Sequence, residues 1–173
     1  MNFTRLVSTE DKIFNKAIKL YKESFPKHEQ REDISQKEIL KYKEYHFDLI
    51  YNKSLFIGII LYWETQDFLY IEHFCIDSKM RNQRYGQRAL ELLKEKEKTM
   101  ILEIDPPIDE ISIRRKSFYE RVGYKENPFK HIHPPYHKEN KGHSLIIMSY
   151  PNLLTQIAYN KFDLYLKNKV MGE

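Results

Sequence analysis

A single cysteine, Cys75, stands among the 173 residues of this chain, so no disulfide can close within it and a reducing, cytoplasmic setting is expected. Glycine is also scarce, with 5 in all, too few for the turns of a barrel built from many short strands. No apolar run reaches the roughly 18 residues of a membrane-spanning helix; the longest covers only 55–63. The opening MNFTRLVSTEDK lacks the basic-then-apolar order of an export signal, so neither a membrane nor a secreted setting is expected. Charge of one sign is missing too. The chain has 29 Lys and Arg against 25 Asp and Glu, a formal net charge of +4, which suits anionic small ligands but is too mixed to indicate nucleic acid. Arg81, Arg84, Arg88, Lys94, Lys96 and Lys98 are interleaved with Glu91, Glu95 and Glu97, the pattern of a solvated, salt-bridged helix face.

Hydrophobic residues make up 41 %, including 13 Tyr and 10 Phe, enough for the core of one domain over residues 1–173. Alternating or continuous apolar runs predict strands at 3–7, 46–51, 55–63, 67–76, 100–104 and 144–150. Helical spacing predicts helices from an N-cap at Ser8 or Thr9 up to Pro26, at 34–42, from about Arg84 through Leu93, at 111–121 with Gly123 as its cap, and at 152–167. The last lies in an amphipathic extension, 151–173, whose Leu153, Leu154, Ile157, Ala158, Phe162 and Leu166 would pack on the core or make a homodimer contact. The segment 124–143 reads as a loop rich in His, Pro, Asn and Lys. Three antiparallel strands followed by a strand-helix-strand crossover imply a mixed α/β sheet.

The stretch 70–93, YIEHFCIDSKMRNQRYGQRALELL, organises the rest. A helix that opens in a loop carrying Arg81, Arg84 and Arg88 directs free N–H groups and a positive dipole end at whatever lies there, and Gly86 allows close approach. An anion fits such a site; a solvated loop is the alternative. Period two along the strand sets Tyr70, Glu72, Phe74 and Ile76 on one face and Leu69, Ile71, His73 and Cys75 on the other.

Arg81-Asn82-Gln83-Arg84-Tyr85-Gly86 resembles the Arg/Gln-x-x-Gly-x-Gly/Ala pyrophosphate loop of the GNAT superfamily of acyl-CoA N-acyltransferases, with Arg84 in place of the first glycine. Downstream, residues 112–124 resemble the family's Asn-x-x-Ala-x-x-Phe-Tyr-x-x-x-Gly-Phe helix, with Ser112 for Asn and Arg115 for the small residue. The resemblance implies an α/β fold with a mostly antiparallel central sheet and helices on both faces. It further implies transfer of acetyl from acetyl-CoA to a primary amine, on a small-molecule acceptor, without a covalent enzyme intermediate. Pantetheine would pair with the backbone of Phe74, Cys75 and Ile76. The pyrophosphate would meet Arg81, Asn82, Gln83, Arg84, Tyr85 and Gly86, with Ser112 and Arg115 also on the cofactor. Phe25-Pro26-Lys27-His28-Glu29-Gln30-Arg31 is similar to a stretch in a subgroup whose first two helices wall the acceptor pocket, so Phe25, Glu29, Arg31, Tyr70 and Tyr136 are the expected acceptor residues.

Tyr119 is the candidate general acid, since a phenol with an ordinary pKa of about 10 is protonated at neutral pH and can donate to a departing thiolate. Ser112, Arg115 and Tyr119 fall on one helix stripe. Glu72 is the candidate base, with a pKa expected to be raised by apolar neighbours; a salt bridge to an arginine is the alternative. Cys75, assigned to the opposite strand face, is poorly placed as a nucleophile. Two rival readings remain. His131, His133 and His137, followed by Glu139, resemble the His-x-His-then-Glu metal ligands of cupin barrels. The departures at Arg84 and Ser112 are compatible with a non-catalytic CoA-binding module.

Overall fold

The computed structural model describes residues 1–172. Its contacts gather into two compact units, residues 1–98 and residues 99 onward.

In the first unit β1 (Asn2–Arg5), β2 (Tyr45–Asn52), β3 (Leu55–Glu64) and β4 (Phe68–Ile76) pair antiparallel in chain order. β3, LFIGIILYWE, is buried from Phe56 to Trp63, which is why its sequence is a continuous apolar run rather than an alternating one. Lys53 at φ 56° turns the β2–β3 hairpin. α1 (Phe14–Ser24) packs on β3 and buries Phe14, Ala17 and Tyr21. It starts later than the expected cap at Ser8 or Thr9 because the Ser8 hydroxyl accepts from the Glu10 N–H at 3.1 Å, closing a turn short of the helix. α2 (Asp33–Glu38) is one short helix that tightens into a 3-10 turn at Ile39–Lys41, and α3 (Tyr85–Lys94) packs on β4 through the buried trio Ala89, Leu90 and Leu93.

β4 carries a β-bulge that the period-two reading does not anticipate. Leu61 of β3 pairs with His73, but the next residue, Tyr62, pairs with Ile71, so Glu72 is the extra residue. Directly opposed residues share a sheet face. Tyr70 (opposite Trp63), His73 (opposite Leu61) and Cys75 (opposite Ile59) therefore lie on one face, and Leu69, Ile71, Phe74 and Ile76 on the other. The expected grouping of Tyr70 with Phe74 and Ile76 is thus corrected.

In the second unit β8 (His143–Tyr150) pairs antiparallel with β5 (Thr99–Ile104), β6 (Lys125–Glu126) and β7 (His131–His133). The last two strands lie within the segment expected to be a loop; His131 and His133 are buried there, and histidine does not register as a core residue in an apolar pattern. α4 (Glu110–Arg121) packs on β5, and Gly123 follows it at φ 96°. The Tyr150–Pro151 peptide is cis. α5 (Gln156–Tyr165) and the wide turn Leu166–Val170 bury Phe162, Leu166 and Val170, while Leu153 and Ile157, expected on the apolar face, are exposed. Among the described residues no helix is long and apolar enough to cross a membrane.

Candidate active site

The loop after β4 leads into the start of α3 through a short turn and two left-handed residues. Asp77 accepts from the Lys79 N–H at 3.0 Å and starts a 3-10 turn, Ser78–Met80; Asn82 and Arg84 then adopt left-handed backbone at φ 61° and 60°. Arg84 holds the N-cap position of α3 without offering a side-chain cap, and no acidic residue occupies the first turn. The first intrahelical bond to Arg84 comes from the Arg88 N–H at 3.0 Å, so the N–H groups of Tyr85, Gly86 and Gln87 have no partner within the helix. Arg81, Asn82, Gln83 and Arg84 are exposed around them, and Arg81 is steadied by donating to the Ile76 carbonyl at 3.2 Å. Arg84 thus stands where a family glycine is expected and adopts the left-handed conformation that glycine serves best.

Three of the expected acceptor residues, Phe25, Glu29 and Arg31, gather with Glu72 and His73 in the first unit, and Tyr70 lies opposite Trp63 on the same sheet face as His73. Arg31 donates to Glu72 Oε1 at 2.6 Å, and Trp63 Nε1 donates to Oε2 at 2.7 Å. Arg31 itself is held by its backbone N–H, which donates to the Tyr21 hydroxyl at 2.8 Å. The His73 ring stands edge-on to Tyr21 and Phe25, and its Nε2 meets the Glu29 carbonyl at 2.8 Å. Burial pushes the Glu72 carboxyl up, but the Arg31 guanidinium, His73 and the donors from Trp63 and Arg31 outweigh it and hold the pKa down at about 2. The raised pKa expected for Glu72 is overturned, and the salt-bridge alternative is the one realised. Its partner comes from 41 positions away, beyond the reach of a local reading. Cys75 stays with His73 as expected, but the bulge moves Tyr70 to their side, correcting the expected separation of Cys75 from Tyr70. It remains a poor nucleophile for another reason: burial raises its thiol to about 11.

In the second unit the Asp109 carboxylate accepts from the N–H groups of Ile111 and Ser112 at 2.9 and 2.8 Å, and the Ser112 hydroxyl accepts from the Asp109 N–H at 3.1 Å, a full capping box. Ser112 is therefore occupied locally. Arg115 reaches back to Asp105 at 2.5 Å. Tyr119 is buried, edge-on to Phe118 and Tyr124 with ring centroids 5.1 and 5.6 Å away. Tyr136 lies 5.0 Å from the His133 ring.

His131 and His133 are engaged by protein partners rather than gathered with His137 and Glu139 as metal ligands. His131 bonds to Glu103 through Nε2 and to the Tyr159 hydroxyl through Nδ1 at 3.0 Å, while His133 Nδ1 faces the Pro134 carbonyl at 2.5 Å. Among the described residues, no group of three ligands is drawn from His131, His133, His137 and Glu139. Trp63 does not stand out in the sequence; the pairing of β3 with β4 brings its indole to Glu72.

The family model for acetyltransferases (GNAT) matches residues 11–124. A Bacteroides thetaiotaomicron protein assigned to the GNAT acetyltransferases superimposes with a TM-score of 0.93 at 30 % identity, covering 100 % of this chain and 99 % of that one. An aminoglycoside 6'-N-acetyltransferase complexed with coenzyme A shares the fold at a TM-score of 0.59 and 16 % identity, covering 86 % of this chain and 96 % of that one. The ribosomal-protein-S18-alanine N-acetyltransferase from Escherichia coli does so at 0.57 and 16 %, covering 89 % and 95 %. No curated protein matches the sequence.

Proposed function

The chain belongs to the GNAT acetyltransferase family, and from that premise we propose that residues 1–173 act as one catalytic domain transferring acetyl from acetyl-CoA to the primary amine of a small-molecule acceptor by direct attack. The observation that carries this reading is the start of α3. Its unbonded amides and exposed arginines form a positive, close-approach surface of the kind a pyrophosphate takes. Arg81 and Arg84 would add charge to the amides of Gln83, Tyr85 and Gly86, with the Asn82 side chain beside them. The backbone of Phe74, Cys75 and Ile76 would hold the pantetheine, a role that asks little of their side chains. Ser112 and Arg115 would line its path.

Tyr119 is the proton donor to the leaving sulfur. Phe25, Glu29, Arg31, Tyr70 and Tyr136 form the acceptor side. Glu72 supports that side by fixing Arg31, since a carboxylate held at about 2 stays ionised and draws little from an ammonium at neutral pH.

Calorimetric titration with acetyl-CoA tests the cofactor site. Micromolar binding is expected, lost in Gly86→Glu through clash and charge; equal binding by the variant removes the phosphate-loop assignment. Tyr119→Phe should lower turnover and leave acetyl-CoA affinity nearly unchanged. Acetyl-CoA binding with no transfer to any amine would identify a CoA-binding module instead.

A further inference from the structure

One face of the sheet in the second unit carries a buried carboxylate and two buried imidazoles that the acyl transfer does not use. Strand register puts them there. Glu103 of β5 pairs with Ile147, and His131 and His133 of β7 pair with Leu145 and His143, so all three share the face of the alternate β8 residues 143, 145 and 147. The side chains of Glu103, His131 and His133 are 5 %, 0 % and 7 % exposed. His131 Nε2 meets Glu103 Oε1, and a carboxylate only accepts, so Nε2 carries the proton and the Nδ1 of the neutral ring accepts from the Tyr159 hydroxyl at 3.0 Å. His133 is turned the other way. Its Nδ1 lies 2.5 Å from the Pro134 carbonyl, which also only accepts, so Nδ1 carries the proton and the neutral ring has its lone pair on Nε2. That lone pair has no hydrogen-bond partner among the described residues and stands 3.8 Å from Glu103 Oε2. Two acceptors thus face each other out of water, an unfavourable arrangement that one added proton converts into a donor and an acceptor.

We propose that His133 is a proton-operated latch: protonated at Nε2 it closes on Glu103 and pins the loop 134–142 to the sheet, and neutral it lets that loop go. Closure takes the 3.8 Å separation to the roughly 2.8 Å of a charge-assisted hydrogen bond. The loop follows because both of its ends meet the same strand. The Tyr136 ring lies 5.0 Å from the His133 ring, and a Cβ added at Gly142 would sit 2.6 Å from the Ile132 side chain and 3.1 Å from the His133 carbonyl oxygen. The proton goes to His133 rather than to His131, whose Nδ1 already has the Tyr159 hydroxyl. Asp163, 3.8 Å from that Nδ1, is answered by Lys167 at 2.6 Å. Glu103 is thus the charge that meets His133 from β5. On the same face stand His131 on β7, His143 on β8 with Asp105 3.5 Å beyond it, and Tyr136 in the loop, while Tyr159, Asp163 and Lys167 come to His131 from α5 and the turn after it. The latch does not depend on the acetyl-transfer reading.

The test is nitrogen-15 NMR of the histidine rings in the full chain, followed from about pH 8 to pH 5, the interval in which imidazole ordinarily exchanges its proton. At the upper end His133 should show a protonated Nδ1 and a bare Nε2. As pH falls Nε2 should gain its proton, and the resonances of Tyr136 and Gly142 should shift with the same midpoint. Glu103→Gln removes the anion and keeps the shape of the side chain. It should lower the proton affinity of His133 at least about tenfold and leave Tyr136 and Gly142 without the matching shift. If that variant folds poorly, the wild-type titration decides. A His133 that stays neutral throughout, a proton that goes to His131 instead, or protonation of His133 with no change at Tyr136 and Gly142 overturns the latch. These readings are taken without acetyl-CoA or an amine, so the latch and the transfer reading fail separately.

Discussion

Glu72 and Arg31 are side chains only 1 % and 6 % exposed, and each is tolerable in that setting because the other is there. Glu72→Gln leaves the guanidinium buried without its anion, so a loss of about 3 kcal/mol is expected, roughly 6–12 °C in Tm. Arg31→Met should cost a similar amount, and the double variant clearly less than the sum, as read by chemical denaturation. Because the folded pKa of Glu72 is depressed, the pair's contribution is complete above the usual carboxylate range near 4.5 and disappears as pH falls through about 2. His46 behaves differently. Burial, then Arg5 and Lys96, lower its pKa from 6.5 to about 4 against the opposing pull of Glu64. The unfolded chain therefore binds its proton first, and stability present above pH 6.5 is lost as pH falls towards 4. Urea unfolding at pH 7 and 4.5 should differ by about 2 kcal/mol on account of this group, and His46→Gln should remove that difference.

The β3–β4 ribbon shows how one element sets the site. Gly58 pairs with Ile76 where the two backbones approach so closely that an added Cβ would sit 2.3 Å from the Cys75 carbonyl oxygen. Backbone cannot swing aside as a side chain can, so Gly58→Ala must separate the strands just before the loop of α3. A cost of about 2 kcal/mol is expected, with weakened acetyl-CoA binding; a melting temperature equal to the wild type's would show that the strands part freely. Further along the same ribbon the bulge at Glu72 changes which residues share a face, and so which can act together. Helix phases were legible, because Ala89, Leu90 and Leu93 fall on one side of α3. Strand faces were not, since one inserted residue inverts everything beyond it.

For the molecule as a whole, a ligand that binds only the folded state raises stability by mass action. Acetyl-CoA at about 100 times its Kd should add roughly 2.7 kcal/mol and raise Tm by about 5–10 °C. The gain should shrink at high salt if exposed arginines contribute to binding, because their charges are screened. Thermal scans with acetyl-CoA, with and without added salt, check both statements. The matching family model runs from residue 11 to 124, through both compact units, so the family's character belongs to the chain rather than to either unit.

By itself the sequence determined the α/β class, the order of the main elements, the arginine-bearing start of α3 and the helix with Ser112, Arg115 and Tyr119. These depend on propensity and spacing over a few turns, which neighbouring residues encode directly. Tertiary structure alone decided the electrostatics. Arg31 meets Glu72 across 41 positions, and Arg115 and His143 converge on Asp105 from two different elements. A carboxylate's pKa depends on how much water it loses and which charge lies within a few ångströms, and both quantities exist only once distant parts of the chain are packed together.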